Sequence, residues 1–256
     1  MATPEGMTMK SIHDLEPQLA ANRRYWGGWD GDTLDDDLPI YRTDIPHILL
    51  NGVLRVRNRP IEDAIAEAKE RLTGSRWSWW VQRDSDEGTA ESLLAHGAKQ
   101  ISHTPIMAVD VTTVAAPVVP EGLSIRLAVE PAEIERYVGT WAGPLGVTGD
   151  LGIVVERELN FYPDMVRLAG VVDGKTVGTC TLSLGTADVG GLYTIATDPD
   201  YRRRGIASAL TLEALRITRE TGRRFATLQS SSDGLPVYEK IGFQTVAHYD
   251  LYQLPE

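Results

Sequence analysis

With 256 residues, 42% of them apolar, the chain is long enough for one large domain or two small ones. No apolar run reaches bilayer length and no apolar stretch follows a basic start near the N-terminus, so neither a membrane-spanning protein nor a secretory leader is expected. The net charge of −11 argues against a binder of nucleic-acid backbones and favours a cationic partner. Acids exceed bases by six over residues 1–118 and by five over 119–256, so the acidity is not confined to a tail.

Along the chain, Tyr25–Asp37 (YWGGWDGDTLDDD) mixes aromatics with acids. It reads either as an arm around a cationic amine or as a surface loop with Trp26 and Trp29 docked on the core. Ile61, Ile65, Ala68 and Leu72 form one helical stripe, with Pro60 suited to its first turn and Gly74 to its end. Trp77–Val81 follows as a buried strand, Thr89 as the cap of a short helix closed by Gly97, and HTPIMAVDV as a further strand. Residues 112–122, with two prolines and one charge, read as an extended connector between a unit 1–111 and a unit 123–256.

Leu151–Leu159 reads as a helix whose Glu156 and Glu158 occupy its solvated side. Cys180, the single cysteine, lies in the apolar run TVGTCTLSL; it excludes a disulfide framework or a multi-cysteine metal cage, reads as a buried strand thiol, and suits a reducing cytoplasm. Gly191–Thr197 is β-rich and Asp198-Pro199-Asp200 a turn. Then come Arg202, Arg203, Arg204 and Gly205, and a helical stripe of Ile206, Leu210, Ala214 and Ile217 that Gly222 closes. Phe225–Gln229 is the next strand; a short helix ends at Gly242 before a last strand from Phe243, where His248 reads as an edge residue. The stretch LTGSRW at 72–77 matches ETGRRF at 220–225, an offset of 148 that points to an internal repeat.

A strand passing through a basic loop into a helix N-terminus is an anion-binding geometry, because the first helical amides lack partners and the dipole is positive there. Three arginines at that end oppose the dipole unless an anion binds. Neither nucleotide fingerprint, Gly-x-x-x-x-Gly-Lys-Ser/Thr nor Gly-x-Gly-x-x-Gly, fits the loop. Arg202-x-x-Gly205-x-Ala207 after a strand resembles the signature of the GNAT N-acetyltransferase family, and Ser231-x-x-Gly234-x-x-Val237-Tyr238-Glu239-Lys240-Ile241-Gly242-Phe243 resembles its second motif. The likeness covers about residues 123–256.

The resemblance implies an α/β (α+β) mixed sheet of the GNAT acyl-CoA acyltransferase fold, here as two GNAT-like domains in tandem, and acetyl-CoA as acyl donor without a metal. It implies that Ile195 and Thr197 hold the pantetheine arm by backbone pairing. Amides from Arg203 through Gly205, Ile206 and Ala207 to Ser208 would take the pyrophosphate, with the arginine side chains adding charge. The strands Gly191–Thr197 and Phe225–Gln229 would splay to admit the thioester. Tyr238 would protonate the departing thiolate; on spacing alone it reads equally as an amphipathic core residue.

Ser231 stands where the family usually has Asn, and Gly191 where some members carry a catalytic glutamate. Glu156, or water ordered by Tyr193, is a candidate base, and Trp141 in WAGPLGVTGD a candidate for acceptor specificity. The offset maps positions 202, 205 and 207 onto Leu54, Arg57 and Arg59, so residues 1–111 read as a degenerate domain without coenzyme that shapes the acceptor pocket or supports a homodimer. The expected acceptor is a small-molecule or peptide amine. A non-catalytic coenzyme-sensing or interaction module with the same fold is the alternative at this point.

Overall fold

The computed structural model describes residues 9–30, 37–161 and 164–255. The N-terminal half runs α1 (Leu15–Gly28), β1 (Ile40–Arg42), β2 (Asn51–Val53), α2 (Ile61–Arg71), β3 (Ser78–Val81), α3 (Thr89–Ala95) and β4 (Lys99–Asp110). After residues 112–122, which hold no helix or strand, come β5 (Ser124–Leu127), α4 (Pro131–Trp141), α5 (Leu151–Leu159), β6 (Met165–Val172), β7 (Lys175–Ser183) and β8 (Val189–Thr197). The chain ends in α6 (Ile206–Glu220), β9 (Phe225–Gln229), α7 (Leu235–Ile241) and β10 (Gln244–Gln253).

The ten strands among the described residues belong to one mixed sheet ordered β1-β2-β3-β10-β4-β9-β8-β7-β6-β5. Two neighbours are parallel, β2 with β3 and β8 with β9; the others are antiparallel. The order interleaves the halves: β4, from the first half, lies between β9 and β10, and β10, from the second, lies between β3 and β4. His248 therefore occupies an interior strand rather than an edge, stacked on His103 at 4.1 Å.

Period-two alternation sends successive side chains of each strand to opposite faces. On one face, Leu182, Leu192 and Leu228 meet Ile206, Leu210 and Ala214 of α6 and Tyr238 of α7, while Val53, Trp79 and Tyr252 meet α2 and α3. Burying each large aliphatic side chain there stabilises the fold by about 1.5–3 kcal/mol. On the other face, α1 crosses the junction of the halves: Leu15 and Leu19 lie on Ile106, Tyr249 and Leu251, and Tyr25 and Trp29 join Trp141, Val154 and Tyr193.

Local chemistry sets the helix ends. Glu130 and Glu133 form a capping box at α4, where Pro131 fills the first turn, and Asp150 accepts from Gly152 N–H to cap α5. Thr89 is not the cap of α3: Gly88 holds that position, and the Thr89 hydroxyl donates back to the Asp86 carbonyl. Cys180 is fully buried in β7, and burial pushes its thiol far above its usual range, so it stays protonated.

Candidate active site

The parallel ladder between β8 and β9 runs from Val189–Phe225 to Leu192–Leu228 and stops, although β8 continues to Thr197. On its other side β8 still pairs with β7 through Gly178–Thr197, with a bulge between Tyr193 and Ala196. Thr194 forms that bulge in a left-handed conformation (φ 45°), unusual for a β-branched residue. Its hydroxyl lies 2.7 Å from that of Thr181 and 3.2 Å from that of Tyr137, and Thr181 and Tyr137 meet at 2.7 Å, closing a three-hydroxyl ring. The Thr179 hydroxyl adds a bond to the Thr194 carbonyl. Past the ladder, Ile195 is half-buried against the α6-side core, and Thr197 leads into the loop.

Pro199–Tyr201 makes a single 3-10 turn, with the Asp198 side chain accepting from Asp200 N–H. A hydrogen bond from Lys175 holds the Asp198 carboxyl below its usual range. Arg203 (φ 61°) and Gly205 (φ 78°) are both left-handed, the second at the start of α6, where no side chain caps the helix. The first bond across that end joins Ala209 N–H to the Gly205 carbonyl, so the preceding amides of the helix have no intrahelical partner. Arg202, Arg203 and Arg204 are exposed; Arg202 Nε reaches the Thr197 carbonyl at 3.5 Å, and the Arg204 guanidinium lies over the Tyr201 ring. Ile206 points into the core while Ala207 and Ser208 keep the first turn small. A Cβ at Gly205 would lie 3.4 Å from Pro120 Cγ, so the connector lies against this loop.

Tyr238 is buried on the α6 side, edge-on to Phe243. Burial, and secondarily the Cys180 thiol, push its phenol well above the usual value of 10. Ser231 sits exposed ahead of α7, where its hydroxyl accepts from Gly234 N–H at 3.2 Å.

On the opposite face, Tyr193 lies flat against Tyr25 (3.5 Å between centroids, 1° between planes), and Trp141, 1% exposed, meets Trp29 edge-on. A Cβ on Gly191 would fall 2.6 Å from Tyr193 Cε2 and 2.8 Å from its hydroxyl, so the tyrosine ring fills the space beside Gly191. Of the two α5 carboxylates, Glu156 is exposed and Glu158 is the one turned inward, where Arg167 Nε binds it at 2.7 Å. Sequence reasoning placed both on the solvated side; the missing signal was the arginine on β6 that draws Glu158 in. Burial raises the Glu158 carboxyl above its usual range against the pull of Arg167. Trp26 and Trp29 are docked on the core, as the second reading of the aromatic–acidic segment has it, while its residues 31–36 lie outside the described residues.

The N-terminal parallel pair differs. Its ladder ends at Val53–Trp79, and Asp86 N–H then donates to the Val56 carbonyl, rejoining the two segments. Beyond the ladder Arg55 and Asp84 are buried, and Asp84 is bound by Arg23, itself 2.7 Å from Glu16. Gly52 faces Ser78 as Gly190 faces Ala226, so the first strands of the two pairs are offset by 138 residues rather than 148. The uniform offset therefore misplaces positions 202–207 onto 54–59; the segment between strand and helix is simply shorter in the first half.

Residues 146–243 match the model of the acetyltransferase (GNAT) family. A glucosamine 6-phosphate N-acetyltransferase of Trypanosoma brucei brucei is 35% identical over 34% of this chain and 69% of its own length. A mycothiol acetyltransferase of Saccharomonospora viridis is 31% identical over 51% of this chain, and the match spans only 48% of that relative. Among solved structures, a GCN5-related N-acetyltransferase from Kribbella flavida superposes with a TM-score of 0.71 at 18% identity, covering 98% of this chain and 97% of that one. A tandem GNAT protein from the clavulanic acid biosynthesis pathway superposes with a TM-score of 0.60 at 16% identity, covering 84% and 77%. These two likenesses concern the fold.

Proposed function

The chain belongs to the GNAT family of acetyltransferases, and from that premise we propose that it moves an acetyl group from acetyl-CoA directly to an amine in a ternary complex. One observation carries the reading: the β8–β9 ladder stops at Leu192–Leu228 while β8 runs on, through a loop left-handed at Arg203 and Gly205, into an uncapped helix N-terminus. That arrangement leaves backbone groups of Ile195 and Thr197 beside an opening between strands. It also leaves amides from Arg203 to Ser208 beside three exposed arginines, which fits a diphosphate on a thin apolar arm. The connector at Pro120 borders the same loop.

Bound there, the coenzyme would supply an activated thioester. The protein's part is to hold the acetyl carbonyl against the β8 backbone and to keep a proton on Tyr238, whose raised pKa leaves the phenol neutral at physiological pH. As the amine attacks the carbonyl carbon and the C–S bond breaks, Tyr238 would donate its proton to the sulfur, and the proton that the attacking nitrogen loses on becoming an amide would pass through water to restore the phenol. Ser231, its hydroxyl engaged by Gly234, would shape the mouth more than grip the arm.

In this reading residues 1–111 form a degenerate GNAT-like unit, 112–122 the connector, and 123–256 the catalytic unit. The support is chemical: the first half's parallel pair is rejoined beyond its ladder and filled by Arg55, Asp84 and Arg23, with no glycine loop for a phosphate. The names of the two relatives, a glucosamine 6-phosphate N-acetyltransferase and a mycothiol acetyltransferase, make a small-molecule amine the first class to try. The lone buried thiol suits the cytoplasm, and no helix among the described residues is long and apolar enough to cross a membrane. Calorimetric titration with CoA, followed by thiol release from acetyl-CoA across an amine panel, tests the proposal. Tight CoA binding with amine-dependent release is expected; absence of CoA binding by folded protein overturns it.

A further inference from the structure

Helix α4 carries a glycine in its interior, Gly139, where alanine would favour the helix. Other glycines of this half make room for a neighbour: a Cβ on Gly178 would lie 2.5 Å from Ile206, and one on Gly190 2.7 Å from Thr218. At Gly139 no heavy atom comes within 4 Å of that position and the backbone is not left-handed, so neither packing nor conformation calls for glycine. What the missing side chain leaves open is one wall of a groove of about 370 Å³ between α4, the β6–β7 hairpin and the Asp198–Pro199 turn. That volume falls in the range of small-ligand sites.

In a chain of net charge −11, the groove is lined by two cations and a single carboxylate: Arg136 of α4, Lys175 at the start of β7, and Asp198. Arg136 is exposed and pairs with no carboxylate among the described residues, and its helix neighbour Glu133 is taken up by the Val129 and Glu130 amides. Asp198 is committed too, accepting from Asp200 N–H and from Lys175 at 2.8 Å. Thr140 ties the helix to the hairpin, its hydroxyl 2.8 Å from the Arg136 carbonyl and 3.2 Å from the Thr176 carbonyl. A guanidinium presents a fork of N–H groups that matches phosphate, and the ammonium keeps donors beyond the one given to Asp198. Together these exceed what the two oxygens of a carboxylate can accept and suit the three terminal oxygens of a phosphate monoester. Gly139 and Pro144, with no hydrogen-bonding side chain, flank the space for its organic body.

We propose that this groove is a second ligand site, for a phosphate monoester, and that Lys175 links it to the arginine loop. It stands apart from the transfer chemistry: the groove lies on the β7 side of β8, whereas the opening between strands lies on the β9 side. The link is a shared ring. Lys175 Nζ lies 5.1 Å from the centre of the Tyr201 ring, and the Arg204 guanidinium lies 4.9 Å from the same centre. A dianion held by Arg136 and Lys175 draws the ammonium from Asp198 and sets negative charge beside the loop that is to hold a diphosphate. The two ligands therefore oppose each other, and by reciprocity each weakens the other by the same factor.

The test titrates the full chain with glycerol 3-phosphate by calorimetry, with glycerol as the uncharged counterpart, in the absence and in the presence of saturating CoA. Glycerol 3-phosphate is expected to bind about tenfold or more tightly than glycerol. Saturating CoA should weaken it about threefold and then no further. Arg136→Gln removes the fork and Gly139→Leu fills the groove. Each should weaken glycerol 3-phosphate about tenfold or more, while CoA affinity measured alone stays within about twofold of wild type. Because a side chain at Gly139 meets nothing, the leucine variant should unfold at or above the wild-type urea midpoint, which separates blockage from misfolding. Binding no tighter than that of glycerol, unchanged binding in both variants, or complete displacement by CoA, which would put the phosphate in the amide cradle, overturns the site. Binding that leaves CoA affinity unaltered overturns the link through Lys175. Protein that takes glycerol 3-phosphate in the groove and no CoA overturns instead the transferase reading.

Discussion

Thr194 and Thr181 face each other across β8 and β7 with their hydroxyls 2.7 Å apart, and this contact, shared with Tyr137, holds the left-handed turn of Thr194. A left-handed β-branched residue costs roughly 1–2 kcal/mol, so the ring has to offset that strain. Thr194→Val keeps the shape, removes the hydroxyl and leaves Thr181 and Tyr137 short of a partner. It should destabilise the fold by about 1–3 kcal/mol in urea denaturation and weaken CoA binding, since the bulge aims Ile195 and Thr197. Tyr137→Phe should cost less, about 1 kcal/mol.

Gly205 holds φ 78° where the arginine loop meets α6. Gly205→Ala should cost about 1–2 kcal/mol of stability through backbone strain alone. Gly205→Trp should abolish CoA binding by filling the cradle. Normal calorimetric affinity in the tryptophan variant would remove the loop from the coenzyme site.

Tyr238→Phe tests the proton donor. A positioned acid contributes about 10²–10⁴-fold, and a thiol is a good leaving group, so a loss near the lower bound is expected in kcat, with CoA affinity nearly unchanged. Because burial raises the phenol's pKa, the acid stays protonated, and its titration should impose no fall in wild-type kcat between pH 6 and about pH 10. Equal turnover of the variant and wild type across that range would exclude the role.

Gly191 has no room for a side chain while Tyr193 is pinned beneath Tyr25. Gly191→Ala should destabilise by about 1–3 kcal/mol through overpacking, and Tyr193→Leu in the same chain should recover part of the loss. Additive losses in urea denaturation would mean that the ring is not what excludes the methyl group.

Alkaline pH should unfold the protein with a defined sign. Tyr25, Tyr41, Tyr137, Tyr193 and Tyr249 are fully buried and their phenols are raised above 10 by desolvation. Below pH 10 both folded and unfolded chains keep these protons. Above it the unfolded chain releases them while the folded chain does not, so stability falls by up to about 1.4 kcal/mol per tyrosine per pH unit. Thermal midpoints at pH 8, 10 and 11 should be level over the first interval and drop over the second.

Helix α6 and its loop were legible because the pattern is local: an apolar stripe, a glycine at either end and a basic run with no other role. Helix α1 was not, because Gln18 and Asn22 are buried on its inner face and blur its amphipathic period. Gln18 donates to the Ile12 and Asp14 carbonyls and accepts from the Thr227 hydroxyl, the last a contact that depends on strand β9 far along the chain. The Thr194 bulge had no Gly, Asn or Asp to announce it. Glu158 was misread with Glu156 because two positions on one helix cannot reveal which of them a distant arginine neutralises. The strand order was beyond reach for the same reason, since pairing of β4 with both β9 and β10 is decided by partners in both halves.

That interleaving has a genetic corollary. A gene fragment starting at the connector would encode every motif of the acetyltransferase yet leave β9 and β10 with a missing strand between them, and a fragment stopping there would deprive β3 of its neighbour. Neither half can be discarded, duplicated or traded by recombination without tearing the sheet of the other, so the two are retained together as warp and weft of one loom.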